Sequence, residues 1–115
     1  MSMQNIAVLV LTQTLTGTVA ANRFVTPAGS QAGADANALG VARSAGVSGD
    51  RIPVEALGTS IVETGGSFSA GATIKSDASG RAIVWATSGA KLAVAREAST
   101  GSGQFVEVFL IPNVA

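Results

Sequence analysis

The chain has 115 residues, seven basic and seven acidic side chains and no histidine, so it is near neutral and large enough for one domain with a modest core. Its bases are scattered singly, which excludes the basic stripe of a nucleic-acid binder and the polybasic patch of a membrane-surface protein. The absence of cysteine excludes a disulfide framework and fits a reducing compartment.

In chain order, the first feature is the apolar run Ile6-Ala7-Val8-Leu9-Val10-Leu11. It has no basic leader, the first basic residue being Arg23, and it is shorter than the roughly 20 residues of a membrane span. It reads as a strand buried on both faces or paired against a neighbour. Residues 15–21 alternate threonine with apolar side chains and favour a strand over a helix. Residues 22–26 form a short strand stopped by Pro27, and the small, polar residues 30–38 read as an exposed loop.

A hairpin follows over residues 39–55, then a strand over 57–63. Thr64-Gly65-Gly66-Ser67 reads as a turn that calls for positive φ. Residues 71–75 pair with 81–85 through Ser76-Asp77-Ala78-Ser79-Gly80, an Asx-type turn start with a glycine exit. Thr87-Ser88-Gly89 turns the chain again, and a second hairpin covers 91–111 before Pro112. No segment of about 10 residues keeps a 3.6-residue period, so little helix is expected.

The two hairpins resemble each other. Leu39-Gly40-Val41-Ala42-Arg43-Ser44-Ala45 is nearly repeated as Leu92-Ala93-Val94-Ala95-Arg96-Glu97-Ala98. Each is followed by a Gly/Ser-rich stretch read as a turn, Val47-Ser48-Gly49-Asp50 and Ser99-Thr100-Gly101-Ser102-Gly103, and then by another apolar strand. Short strands separated by such turns predict an all-β class: a small barrel-like domain built from hairpins. The apolar residues are mostly alanine and valine, with four phenylalanines and Trp85 as the bulky anchors. A core this light favours further burial between subunits, so an oligomer is expected.

Chemistry is narrowed mainly by what is missing. Without histidine, cysteine or tyrosine, a Ser-His-Asp triad is impossible and the usual general base and thiol nucleophile are gone. The carboxylates Asp35, Asp50, Glu55, Glu63, Asp77, Glu97 and Glu107 are dispersed over strands and turns and read as solvated surface charges. Asp77-Ala78-Ser79-Gly80 lacks the ligand count of a calcium loop, and Gly89-Ala90-Lys91 lacks the spacing of a phosphate loop. No enzyme, cofactor or metal site is expected. What remains is binding by shape. In the last strand Phe105, Glu107, Phe109 and Ile111 share one face and Val106, Val108 and Leu110 the other, which fits either a central strand or a subunit contact. Trp85, Phe105 and Phe109 are candidate subunit-interface residues, with plain core packing the alternative.

The order of Asn22-Arg23-Phe24-Val25-Thr26, Leu39-Gly40-Val41-Ala42, Val62-Glu63-Thr64-Gly65-Gly66, Ser76-Asp77-Ala78-Ser79-Gly80-Arg81-Ala82 and Phe105-Val106-Glu107-Val108-Phe109-Leu110 resembles the capsid decoration, or cement, proteins of tailed bacteriophages. The resemblance spans residues 6–111 and leaves 30–38 and 87–89 without a matching feature. It implies a β-barrel or β-tulip body, a homotrimer, and a site on the outer surface of the virion head at three-fold and quasi-three-fold positions. There the trimer would bind the major capsid protein of the expanded shell and stabilise it, with no nucleic acid or membrane as partner. It also implies an N-terminal arm over residues 1–14, ahead of a body over 15–115, with Gln4, Asn5, Ile6, Ala7, Val8, Leu9, Val10 and Leu11 touching capsid or a neighbouring copy. The alternative is another structural phage component: a head-fibre base, a tail accessory or an adhesion module. A carbohydrate-binding barrel fits poorly, because one tryptophan and no tyrosine offer little for a sugar to stack on.

Overall fold

A computed structural model describes residues 6–112. Eight strands form one sheet, and no helix occurs among the described residues. They are β1 (Ala7–Thr14), β2 (Phe24–Val25), β3 (Gly40–Ala42), β4 (Arg51–Phe68), β5 (Thr73–Ser76), β6 (Ala82–Val84), β7 (Ala93–Ala95) and β8 (Ser99–Leu110). β4, β6, β5, β7 and β8 follow one another in hydrogen-bonded order, and β8 returns to β4, so five strands close a small barrel. The closure is antiparallel except for one parallel contact, Thr64 of β4 with Ala82 of β6. β1, β2 and β3 are added to this barrel through the first half of β4.

β4 is the spine. The expected strand over 57–63 is not separate from the hairpin before it, and Thr64-Gly65-Gly66-Ser67 is not a turn, since all belong to one 18-residue strand. The chain accommodates the change of register at Gly58, whose φ is +95°. A Cβ there would collide with the Ile6 carbonyl and the Val8 amide, so only glycine lets β1 cross at this point. Gly65 is needed for a different reason: the Asp77 carboxylate occupies the space its Cβ would take. Ser99-Thr100-Gly101-Ser102-Gly103 is likewise strand rather than turn, paired with residues 65–68 of β4, and the chain reverses at 96–98 instead. Glycine in both facing strands made this pairing look like two loops.

Two more expectations are corrected. Residues 15–21 form no strand; Val19 makes a single bridge to Gly46, while Leu15 and Val19 are buried as anchors of a small core. Residues 30–38 are loop, but not wholly exposed, because Ala32 and Ala38 are buried in the barrel core.

The internal repeat is borne out and extends further than a hairpin. β2 pairs with β3 as β5 pairs with β7: Val25 lies opposite Gly40 and Phe24 opposite Val41, while Ile74 lies opposite Ala93 and Thr73 opposite Val94. The third strand follows suit, with Ala42 opposite Val54 and Ala95 opposite Val108. Loop bonds match as well, Arg43 N–H to Pro53 and Arg96 N–H to Glu107. Two copies of a three-strand unit therefore share β4 and β8 as their third strands.

Inward-facing residues of the barrel strands, among them Val62, Phe68, Ile74, Val106 and Val108, fill one core together with Phe24 of β2 and Leu92 just before β7. Leu15, Val19, Val25, Ala42, Ile52 and Val54 fill a second. Each fully buried side chain of this size contributes about 1.5–3 kcal/mol. No β1 residue belongs to either core.

Candidate functional site

The apolar run at the N-terminus is not buried on both faces, as its composition allowed; it lies along β4 and is exposed on both. β1 runs antiparallel to β4, with Leu11 opposite Val54 and Thr14 opposite Arg51. Ile6 is anchored by its carbonyl, which accepts from Thr59 N–H, and by its own N–H, which donates to Thr59 Oγ1 at 2.9 Å. Val8 is 73% exposed, and Leu9, Val10 and Leu11 are each more than a third exposed. Gly58 pairs with Ala7 of β1 and with Leu110 of β8, so these strands lie on opposite edges of β4. Among the described residues no strand pairs with the outer edge of β1. It carries no charged residue and no proline that would guard such an edge. Beside it, Leu9, Leu11, Leu39 and Leu57 wall an apolar groove of about 290 Å³. Gln4 and Asn5 lie outside the described residues.

The three aromatic candidates part company. Phe105 and Phe109 protrude from β8, 46% and 50% exposed, while the strand's other face fills the barrel core. Trp85 stands elsewhere, half-buried after β6. Its Nε1 donates to the Gly89 carbonyl at 2.9 Å, and the Lys91 ammonium sits 4.4 Å from the ring centroid, a cation–π contact that braces the 87–89 loop. The same loop is held from the other side. Asp35 accepts from Lys75 Nζ at 2.6 Å and from Ser88 Oγ at 2.9 Å. These two donors hold the Asp35 carboxyl below its ordinary value. Residues 30–38 and 87–89 are thus tied to each other.

The reading of all seven carboxylates as solvated is corrected, since Glu55, Glu97 and Glu107 are buried. Glu55 is held by Arg43, with Nε at 3.0 Å and Nη2 at 2.8 Å, and by the Ser60 hydroxyl. Glu107 is held by Arg96 Nη1 at 2.9 Å, and its backbone N–H donates to Glu97 Oε1. The repeat thus places an arginine at the same point of each unit, gripping a buried glutamate on the neighbouring strand. In the first unit that glutamate lies two residues beyond the one whose carbonyl Arg43 N–H reaches. Oε2 of Glu97 and of Glu107 has no partner.

No group of three or more potential ligand side chains gathers into a metal site among the described residues, and no helix there is long and apolar enough to cross a membrane. An open cleft of about 560 Å³ is lined by Thr18, Val19, Ala20, Arg23, Gln31, Ala45, Gly46 and Val47. Two of its polar side chains are engaged: Arg23 binds Glu63 and the Ser79 carbonyl, and Gln31 Oε1 accepts from Ala20 N–H. The prominent features are therefore surfaces suited to another macromolecule.

Comparison with known proteins agrees. Residues 3–110 match the family model described as phage cement protein. Among solved structures, the head fiber gp8.5 N base of bacteriophage phi29 is similar in fold, with a TM-score of 0.72 at 18% identity, covering 90% of this chain and 93% of that one. No curated protein matches the chain.

Proposed function

Because this chain belongs to the phage cement protein family, a structural component of the phage capsid, we propose that it decorates the outer surface of the expanded head and stabilises it without catalysis. In this reading it acts as a homotrimer at three-fold and quasi-three-fold positions, bound to the major capsid protein. Residues 1–14 form the contact arm and 15–115 the body.

The observation that carries the reading is β1. An apolar edge strand that belongs to neither core and has an unguarded outer edge is suited to accept a strand from a partner sheet. Backbone hydrogen bonds along Ala7–Thr14 supply affinity, and the exposed Val8, Leu9, Val10 and Leu11 supply apolar contact. A ligand that binds only the assembled shell stabilises it in proportion to RT ln(1 + [L]/Kd), and a trimer gains avidity by engaging several subunits.

Deleting residues 2–11 tests the arm. The expected result is loss of binding to expanded capsids, with the body still folded; unchanged occupancy would refute it. The rival, a head-fibre base or another virion part, draws support from the fold shared with the phi29 head-fiber base. Labelled protein distributed over the whole head favours decoration, whereas label at the tail, or only where fibres emerge, favours the rival.

A further inference from the structure

The edge that β1 leaves open is shorter than the strand. In an antiparallel ladder a residue turns both its N–H and its C=O to one neighbour, and the next residue turns both to the other side. Pro53 turns its carbonyl away from β1, to the Arg43 N–H at the end of β3. Glu55 does the same, since its carbonyl lies against Gly40 of β3, where a Cβ would overlap it. Val10 pairs with Glu55 and Thr12 with Pro53, so these two residues of β1 are not the ones bonded to β4. Their N–H and C=O groups point to the outer edge.

This open stretch is bounded at both ends. Between Ala7 and Val10 the register shifts twice. Ahead of that irregularity the Ile6 carbonyl and the Val8 amide both crowd the Cβ position of Gly58, and so face β4. At the other end the Thr14 carbonyl accepts from Gln13 Nε2 at 3.0 Å, and Gly29 stands against it. The irregularity thus divides β1 into a half anchored at Gly58 and Thr59 and a half that presents the backbone groups of Val10 and Thr12. Leu9 and Leu11 lie to one side of this open half and wall a groove with Pro27, Leu39 and Leu57, in which every lining residue is apolar.

We propose that Val10–Thr12 is the docking point, and that it takes a short extended segment of the major capsid protein, uncharged and with apolar side chains at alternate positions. Backbone pairing requires the extended form, and successive side chains of such a segment fall on opposite faces, so every second one meets the Leu9 and Leu11 side. A charged side chain there would lose water against a wall with no counter-charge. β1 of a second copy fits less well, because a two-fold pairing that uses both Val10 and Thr12 sets Gln13 of each copy beside Leu9 of the other. The inference rests on the strand-acceptor reading above and narrows it to two residues and one kind of partner.

Thr12→Pro removes an outward N–H and leaves the bonds between β1 and β4 in place, because proline is tolerated where a strand's N–H faces outward. It should weaken binding to undecorated expanded heads about tenfold or more, whereas Thr12→Ala, which keeps the backbone, should stay within about twofold of wild type. An ester in place of the amide between Leu11 and Thr12, introduced by ligating a synthetic N-terminal segment, removes the same N–H without constraining φ. It should bind as weakly as the proline variant, and it decides the matter if that variant misfolds. Leu11→Lys, which puts a charge on the groove wall, should weaken binding to a similar extent. On bound protein the Val10 and Thr12 amides should exchange about tenfold or more slowly than on free protein. Normal binding by the ester variant, when deletion of residues 2–11 abolishes binding, overturns this docking point and leaves the arm reading standing. Normal binding by the deletion as well overturns both. A wild-type dimer that the ester separates, with binding to heads unchanged, assigns the edge to a second copy and overturns the inference.

Discussion

At the scale of single residues, the buried glutamates carry the largest consequences. Arg96→Ala leaves Glu107 buried without its cation, and should destabilise the fold by about 3 kcal/mol, read as a lower denaturant midpoint at constant m. A paired replacement of Arg96 by Met and Glu107 by Leu should recover most of that loss, because the desolvation of the carboxylate disappears with it. Asp35 gives the pH-dependent case. Its carboxyl is held below the ordinary 3.8, first by Lys75 and then by Ser88. Its contribution is therefore complete above that value and lost as pH falls through the lowered one. Asp35→Asn should unfold at a lower temperature than wild type at pH 7, with the gap closing in acid. An equal gap at pH 7 and pH 2.5 would contradict the assignment. Sequence reasoning treated these acids as solvated because each, taken alone, is a charged residue beside a turn or strand end. Only the fold shows that Arg43 and Arg96 neutralise two of them from the rim.

At the scale of elements, much was legible. The near-copy at residues 39–45 and 92–98 announced paired β units, and the Asp77 turn closes as expected, with Oδ1 accepting from Ser79 and Arg81 N–H. The glycines misled. Gly65, Gly66 and Gly101 read as turn residues, yet they lie in paired strands, Gly66 opposite Gly101 and Gly65 opposite Ser102, and at Gly65 the missing Cβ lets the Asp77 carboxylate approach the sheet. A local pattern cannot distinguish glycine chosen for a turn from glycine chosen for room. The apolar run in β1 reads as a strand either buried on both faces or paired against a neighbour, and the second holds: it pairs along β4 while its side chains stay largely exposed. Gly40 offers an element-level test. A Cβ there would overlap the Glu55 carbonyl and crowd Ala56, so Gly40→Ala cannot keep β3 on β4 without shifting backbone. It should cost more than the roughly 1 kcal/mol typical of a point change, and amide exchange should quicken along residues 54–56 before the barrel strands respond.

On the scale of the whole molecule, two copies of a three-strand unit share long third strands that lock into a barrel, and β1 rides outside the cores they enclose. In the proposed reading, the body holds the contact arm in place. That division suits a protein whose function is linkage: it needs no moving part, only a surface that fits the mature shell and a body that survives on its own. The near-neutral charge is compatible with many copies packed on one particle, since a strongly charged surface would set neighbours against each other. The central claim is stabilisation of the expanded head. Its most direct measurement is to add purified protein to undecorated heads, expanded and unexpanded, and to follow both bound protein and the temperature at which the shells rupture. Saturable binding to expanded heads alone, with a rupture temperature that rises with occupancy, is the predicted result. Binding without any rise in that temperature, or no binding to expanded heads, would contradict the account.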